Sequence, residues 1–100
     1  MTTLSQASKP ANAEGRTVTL RYFAWVREKV GTADEVVSVP SDVSTVAQLV
    51  DWLKSRGENY EAAFARADVI RVAIDQTHAR PDAKIAGASE IAFFPPVTGG

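Results

Sequence analysis

The chain has 100 residues, of which 45% are hydrophobic and 23% charged, and its formal net charge is -1 at neutral pH. These values predict one folded domain with a modest core, and they lack the basic balance that is typical of nucleic-acid-binding proteins. The chain has no cysteine, which excludes disulfides, thiolate zinc sites and a cysteine nucleophile. No apolar run approaches the roughly 18 residues that a membrane-spanning helix needs. We therefore expect a cytoplasmic protein with no nucleic-acid or membrane partner.

The first part of the chain predicts two strands joined by a short helix. Residues 1–16 are mostly small and polar and lack the apolar stretch of a signal peptide, so we expect a flexible N-terminal extension. Residues 17–23 alternate between apolar and polar side chains, which predicts a half-buried strand. Residues 24–30 predict a short helix that ends at Gly31, and residues 35–39 predict the second strand.

The clearest helix is predicted over residues 46–56. Thr45 and Gln48 form a capping-box pattern, in which each side chain can satisfy an unpaired backbone amide of the first turn. The buried face is defined by four apolar residues at helical spacing: Val46, Leu49, Val50 and Leu53. Gly57 is expected to stop this helix.

The second part of the chain predicts a weak helix and three strands. The weak helix covers residues 60–67, and the strands cover residues 69–75, 78–84 and 90–94. The middle strand is weak because Pro81 interrupts it. One amphipathic helix packed on one sheet gives a two-layer α+β domain with a single core.

A short tail, residues 97–100, follows the domain expected over residues 17–96. Two consecutive prolines end the last strand, since neither can donate to a sheet ladder. The final glycine pair has no Cβ atoms and can enter a channel too narrow for other residues. The Gly100 carboxylate is ionised at neutral pH and needs activation, for example as a mixed anhydride with AMP, before it can react as an acyl donor. The chain has no phosphate-binding loop of the P-loop type, so the activating enzyme must be a partner.

The glycine pair alone leaves two interpretations open. A terminal Gly-Gly arises by chance in roughly 0.5% of chains, given an average glycine content of about 7%, and many chains end in loose small residues without a function. The strand and the two prolines directly before the pair favour a tail that is aimed at a partner.

The C-terminal residues 93–100 (FFPPVTGG) closely resemble the ending of the small subunits of molybdopterin synthase, the sulfur carriers of molybdenum-cofactor biosynthesis. Four other segments resemble the same family: residues 22–31 (YFAWVREKVG), 45–49 (TVAQL), 72–76 (VAIDQ) and 87–93 (GASEIAF). The resemblance extends over residues 17–100. Departures from the family pattern are Tyr22, Trp25, Asp75 and the turn at residues 86–90.

This resemblance implies a β-grasp, ubiquitin-like fold with a mixed sheet of four to five strands. It also implies a sulfur-transfer role. An adenylyltransferase similar to ubiquitin-activating enzymes would use ATP and magnesium to adenylate Gly100, and a sulfurtransferase would convert the adenylate to a thiocarboxylate (1-thioglycine). The large synthase subunit would hold the catalytic pocket, in which the tail gives sulfur to cyclic pyranopterin monophosphate. The synthase would be a heterotetramer, and the small subunit would bind no metal or cofactor itself.

The reacting residues implied by the resemblance are Gly100 and its neighbour Gly99. Partner contacts are expected from seven further residues: Phe23, Arg27, Phe94, Pro95, Pro96, Val97 and Thr98. Strand alternation supports part of this set independently, because it places Phe23 and Phe94 on the sheet face turned away from the main helix. The same face is expected to carry Arg21, Arg71 and Ala73. The alternative is that the two phenylalanines only cover each other.

Two other functions are compatible with the residues. The chain could be a related carrier or modifier, either a sulfur carrier of thiazole synthesis or a ubiquitin-like protein that is joined to lysines. It could also be a passive β-grasp interaction module. His78 stands alone in a predicted loop, which is typical of a solvated histidine rather than a metal ligand.

Overall fold

The computed structural model describes residues 16–96. The elements in chain order are strand β1 (Arg16–Tyr22), helix α1 (Ala24–Val30), strand β2 (Asp34–Val39), helix α2 (Val46–Lys54), helix α3 (Glu58–Ala63), a 3₁₀ turn (Ala67–Val69), and strands β3 (Arg71–Ile74), β4 (Thr77–Ala79) and β5 (Glu90–Phe94). The predicted extension before residue 16 and the predicted tail lie outside the described residues. Within the described part, no helix is long and apolar enough to cross a membrane.

The five strands form one mixed sheet in the order β2-β1-β5-β3-β4. The first and last strands of the chain, β1 and β5, pair in parallel, whereas the other neighbours pair antiparallel. The C-terminal strand β5 therefore lies at the centre of the sheet, with hydrogen-bonded neighbours on both sides. This arrangement confirms the expected α+β, β-grasp fold.

The core lies between the sheet and helix α2, as the side-chain periodicity predicts. On the sheet side, the alternate residues of β1 and β5 are buried: Val18, Leu20, Tyr22, Ile91 and Phe93. On the helix side, the four predicted apolar residues are all buried: Val46, Leu49, Val50 and Leu53. Both bonds of the predicted capping box are present, since the Thr45 hydroxyl accepts from the Gln48 amide and Gln48 Oε1 accepts from the Thr45 amide, each at 3.2 Å.

Several predicted boundaries are wrong at the ends of elements. Helix α2 ends at Lys54 rather than at residue 56, and Gly57 is the extended N-cap of α3 rather than the residue that stops α2. The Ser55 hydroxyl donates to the Trp52 carbonyl and so competes with continuation of the helix. Strand β3 begins only at Arg71, because residues 67–69 form the 3₁₀ turn.

The predicted weak strand over residues 78–84 is limited to Thr77–Ala79. The chain turns after residue 79, and the Pro81 carbonyl accepts from the Ala47 amide at the start of α2, at 2.9 Å. This segment therefore accepts a hydrogen bond from the first turn of α2 instead of extending the sheet.

One carboxylate oxygen joins four elements beside the core. Glu35 Oε2 on β2 accepts hydrogen bonds from Tyr22 Oη at 2.7 Å, from Tyr60 Oη at 2.8 Å and from Arg56 Nη1 at 3.2 Å. The Arg56 guanidinium carbon also lies 4.8 Å from the ring centroid of Tyr60 and 5.3 Å from that of Trp52. These partners come from β1, from α3 and from the turn after α2, and we call the group the Glu35 cluster. It ties α3 and the turn after α2 to the sheet.

The Glu35 cluster makes the stability sensitive to alkaline pH. Burial, followed by the hydrogen bond to Glu35, raises the pKa of Tyr22 far above its usual range, and the same two causes raise the pKa of Tyr60. The folded state thus favours the neutral phenols. The stabilisation is complete below the ordinary tyrosine pKa of about 10 and is lost as the pH rises through the raised values.

We expect the ultraviolet absorbance of tyrosinate to show this effect directly, because Tyr22 and Tyr60 are the chain's two tyrosines. In a Tyr60→Phe variant, the tyrosinate absorbance of Tyr22 should appear only when the protein unfolds, which is seen as the loss of near-ultraviolet circular dichroism. In a Tyr22→Phe variant, Tyr60 should titrate above pH 10 while the protein stays folded. Ionisation of Tyr22 near pH 10 in a folded protein would contradict the arrangement.

The turn between β3 and β4 is tied to the start of β5. Asp75 and Gln76 both have left-handed backbone, with φ of 48° and 72°, as a two-residue hairpin turn requires. The Asp75 carboxylate accepts from the amides of Ser89 at 3.0 Å and Glu90 at 2.9 Å, and the Asp75 amide donates to the Glu90 carbonyl at 2.8 Å. Asp75, a departure from the family pattern, thus has a structural role within its own chain.

Substitutions of Asp75 can separate the stability that these hydrogen bonds contribute from the stability that the left-handed turn contributes. We expect Asp75→Ala to lower the free energy of unfolding by about 1–3 kcal/mol, because two amides lose a charged acceptor. Asp75→Asn should cost less than about 1 kcal/mol, since an amide oxygen still accepts and asparagine tolerates left-handed backbone. Urea unfolding measures both, with Asp42→Ala in an exposed turn as the control. Equal losses for the alanine and asparagine variants would show that the bonds are unimportant.

Candidate docking surface at the exit of the C-terminal tail

The chain leaves the sheet from its central strand. β5 pairs with β1 on one side and with β3 on the other as far as Phe94. Pro95 and Pro96 follow, both half-buried, and their missing amide hydrogens end the ladder. The next residues, Val97, Thr98, Gly99 and Gly100, lie outside the described residues. Their starting point is nevertheless fixed, because a strand bonded on both sides positions residue 96.

The strand register gathers the predicted contact residues on the outer face of the sheet, which is turned away from α2. The parallel register ends with Tyr22 beside Phe93, and the amide of the next residue, Phe23, donates to the Phe93 carbonyl. The antiparallel register places Arg71 opposite Phe94. In the adjacent row, four neighbouring strands contribute one residue each: Arg21, Ala92, Ala73 and His78. We call the group Arg21, Phe23, Arg71, His78 and Phe94 the tail-exit surface.

Phe23 is the most exposed aromatic feature of this surface. Its side chain is 42% exposed, and within residues 16–96 only Val36 is another exposed large hydrophobic residue. Phe23 does not belong to the strand that was predicted to contain it. It is the N-cap of α1 in extended conformation, and its amide donates to the Phe93 carbonyl at 3.1 Å. Its backbone is thus fixed although its ring faces solvent.

The residue after Phe23 carries backbone strain. Ala24 has φ of 55°, a left-handed conformation that costs a non-glycine residue roughly 1–2 kcal/mol. The chain reverses direction here, and the Phe23 carbonyl accepts from the Val26 amide at 3.1 Å and the Arg27 amide at 3.4 Å. Strained backbone of this kind clusters at functional sites. The turn holds Phe23 at the rim of the sheet instead of letting it continue into a strand.

The two phenylalanines have separate neighbours. The Arg21 guanidinium carbon lies 5.6 Å from the centroid of the Phe23 ring, and Arg21 Nη1 lies 3.8 Å from Glu90 Oε2. The His78 and Phe94 rings meet edge to face with centroids 5.7 Å apart. Phe94 is half-buried, whereas Phe23 keeps its exposed area. The surface is therefore an aromatic patch with a basic border, which suits recognition of a protein partner.

The structure brings together the predicted contact residues that it describes. Arg27 is exposed on α1, one turn beyond Phe23, so it lies next to the patch. Pro95 and Pro96 leave the same end of the sheet. Sequence reasoning missed His78 as a member, because β4 has only three residues and shows too little alternation to assign a face. The contact roles of all these residues stay predictions.

Relatives of known sequence resemble nearly the whole chain. Residues 20–100 match the model of the ThiS family. The chain is 33% identical to the molybdopterin synthase sulfur carrier subunit of Haemophilus influenzae and 35% identical to that of Escherichia coli. Each comparison extends over 79 residues, which are 79% of this chain and 94% of the relative.

Solved structures show the same fold. SAMP1 from Haloferax volcanii is similar with a TM-score of 0.66 and 27% identity, covering 85% of this chain and all of that one. A putative molybdopterin converting factor subunit 1 from Pyrococcus furiosus has a TM-score of 0.64 and 23% identity, covering 81% of this chain and 98% of the other. Because the match begins at β1 and runs through the glycine pair, the chain belongs to the ThiS family and to the family of molybdopterin synthase sulfur carrier subunits.

Proposed function

We propose that this chain is the sulfur carrier subunit of a molybdopterin synthase. The observation that carries the proposal is the central strand β5, which ends at Phe94 and is followed in the sequence by two prolines and the terminal Gly99-Gly100, with exposed Phe23 bonded to its Phe93 carbonyl. The curated relatives with 33–35% identity carry the same role in their names.

The proposed chemistry takes place at one carboxylate. A partner adenylyltransferase joins Gly100 to AMP and releases pyrophosphate from ATP, with magnesium balancing the phosphate charge. Sulfide-level sulfur delivered by a sulfurtransferase then displaces AMP and leaves a thiocarboxylate. In the pocket of the large subunit, that sulfur forms a bond to cyclic pyranopterin monophosphate, and water then cleaves the bond between the sulfur and the Gly100 carbonyl, which returns Gly100 to a carboxylate. Glycine at both terminal positions keeps the approach to this carbon open.

The tail-exit surface supplies the proposed docking contact for the large subunit. Its aromatic side chains have only two rotatable bonds each and lose little conformational entropy on binding, and the arginines at its border favour an acidic rim on the partner. Because β5 is held on both sides, docking at this surface also sets the direction in which residues 97–100 enter the pocket. The proposed assembly is a heterotetramer in which catalytic residues other than Gly100 come from the large subunit.

A second candidate is a protein modifier. The similarity to SAMP1, a small archaeal modifier protein, has 27% identity and extends over 85% of the chain. A modifier would use the same activated carboxylate but pass it to a lysine amine, forming an amide. The names of the curated relatives favour the sulfur carrier over the modifier. The relatives and the FFPPVTGG ending also favour it over a thiazole carrier and over a passive module.

The state of Gly100 in cells distinguishes these functions. For the sulfur carrier, the intact mass of the native protein should show one oxygen replaced by sulfur, and deletion of Gly100 should abolish molybdopterin synthesis. Thermal unfolding of the deletion variant should be unchanged, because residue 100 lies four residues beyond the folded domain. A covalent adduct on lysines would instead indicate a modifier. Molybdopterin synthesis by the deletion variant would refute the proposal.

Phe23→Ala tests the docking surface. We expect the affinity for the large subunit to fall about 10- to 100-fold, because an exposed aromatic anchor is lost. The free energy of unfolding should change by less than about 1 kcal/mol, as is usual for exposed positions. Isothermal titration calorimetry measures the affinity, and Asp51→Ala is the control because Asp51 is exposed on α2, which covers the opposite face of the sheet. Unchanged affinity of Phe23→Ala would exclude this surface.

A further inference from the structure

Among residues 16–96, no strand pairs with the outer edge of β2, on the side of the sheet opposite to β4. Strand β2 is the outermost strand of the order β2-β1-β5-β3-β4. Its residues alternate in burial: Val37 and Val39 are buried, whereas Asp34, Val36 and Ser38 are exposed. Val36 is the most conspicuous of them, since its side chain is 67% exposed. An exposed apolar residue at the middle of an edge strand is a feature that sheet proteins usually avoid, because it favours pairing with another strand.

The ladder with β1 shows which backbone groups this edge offers. The Tyr22 amide donates to the Ala33 carbonyl at 2.8 Å, so Tyr22 and Ala33 are a hydrogen-bonded pair. Pairs of this type recur every second residue in an antiparallel ladder. The register then assigns Glu35 and Val37 to bonding with β1. The amides and carbonyls of Asp34, Val36 and Ser38 therefore point away from the sheet. Within residues 16–96, the Thr32 hydroxyl donates to one group of this outward row, the Asp34 carbonyl, at 3.0 Å.

The spacing of this row matches a second copy of itself. If two β2 strands pair antiparallel about Val36, Val36 lies opposite Val36 of the second copy, and Asp34 lies opposite Ser38. The pairing forms up to about six backbone hydrogen bonds. It places two apolar side chains together on the two-fold axis and a hydroxyl beside each carboxylate, with no like charges opposed. The carboxylate of Glu35, on the other face, is already bonded within its own chain.

We propose that two copies of this chain associate through their β2 edges, forming a continuous ten-stranded sheet around the Val36 pair. A two-fold axis perpendicular to the sheet relates the copies, as in isologous dimers. Both tail-exit surfaces then lie on the same side of the sheet, and the two tails leave in opposite directions. The inference goes beyond the proposed function and does not depend on it, because β2 and β5 are different strands of the sheet.

The dimer is expected to be weak. A single pair of six-residue strands buries less than the roughly 1,200 Å² that a stable specific interface usually needs. Association should therefore depend on protein concentration, and the monomer should be the form that presents a free β2 edge to other partners. The occupant is a second copy rather than an arbitrary peptide because the order Asp34, Val36, Ser38 is complementary to its own reverse.

Single cysteines test the register, since the natural chain has none. In the dimer, Val36→Cys residues would face each other with Cα atoms about 5.5 Å apart, which suits a disulfide. Ser38→Cys is equally placed on the exposed row, but its two copies would lie about 13 Å apart. Under mild oxidation of the folded full-length chain, we expect Val36→Cys to cross-link at least about tenfold faster than Ser38→Cys. Equal rates would overturn the proposal.

Light scattering over a concentration series tests the unlinked protein. The average mass of the wild type should rise toward that of a dimer, whereas Val36→Lys should stay monomeric because two ammonium groups would meet at the axis. Thr77→Lys adds the same charge on the opposite edge strand and should behave as the wild type. A wild type that is monomeric throughout would overturn the proposal. If Val36→Lys then also weakened binding to the large subunit, the edge would belong to that partner instead.

Discussion

The parallel pairing of β1 with β5 is the constraint on which the remaining structure depends. It brings the last strand of the domain between two earlier ones, so that β5 lies at the centre of the sheet. The same pairing lets the Phe23 amide donate to the Phe93 carbonyl, although these residues are far apart in the sequence. Parallel strands need a long connection, and the helices α1, α2 and α3 with the hairpin of β3 and β4 supply it. The position at which the chain leaves the sheet is therefore a property of the whole fold.

Much of this fold could be predicted from local patterns. The alternation in β1 and β5 and the four-residue stripe on α2 reflect burial on one side, which leaves a periodic signal in the sequence. The capping box of Thr45 and Gln48 is equally local. The ends of the helices and strands could be predicted less well, because they depend on competition among short-range hydrogen bonds. Ser55 illustrates this, since its hydroxyl bonds to Trp52 and helps to end α2 before the glycine that was expected to do so.

The candidate site was only partly predictable for a different reason. Strand parity predicts that Phe23 and Phe94 lie on the outer face. In the structure Phe94 contacts His78 and Phe23 lies beside Arg21, but Phe23 is the N-cap of α1 rather than a strand residue. The three-residue strand β4 carries no usable period, so the contact between His78 and Phe94 required the antiparallel register with β3. The Glu35 cluster was likewise hidden, because its donors are separated from Glu35 by 13, 21 and 25 residues. Long-range polar contacts of this kind leave no regular mark on a single sequence.

The central position of β5 also has a mechanical consequence. A force that draws the tail away from the domain acts along the axis of β5, which is bonded on one side to β1 and on the other to β3. Such a force shears both ladders, so their hydrogen bonds share it and cannot be opened one after another, as they would be at a peeled edge. A load applied through residue 96 is therefore carried by both ladders at once, and the domain can bear it without its central strand opening from one end.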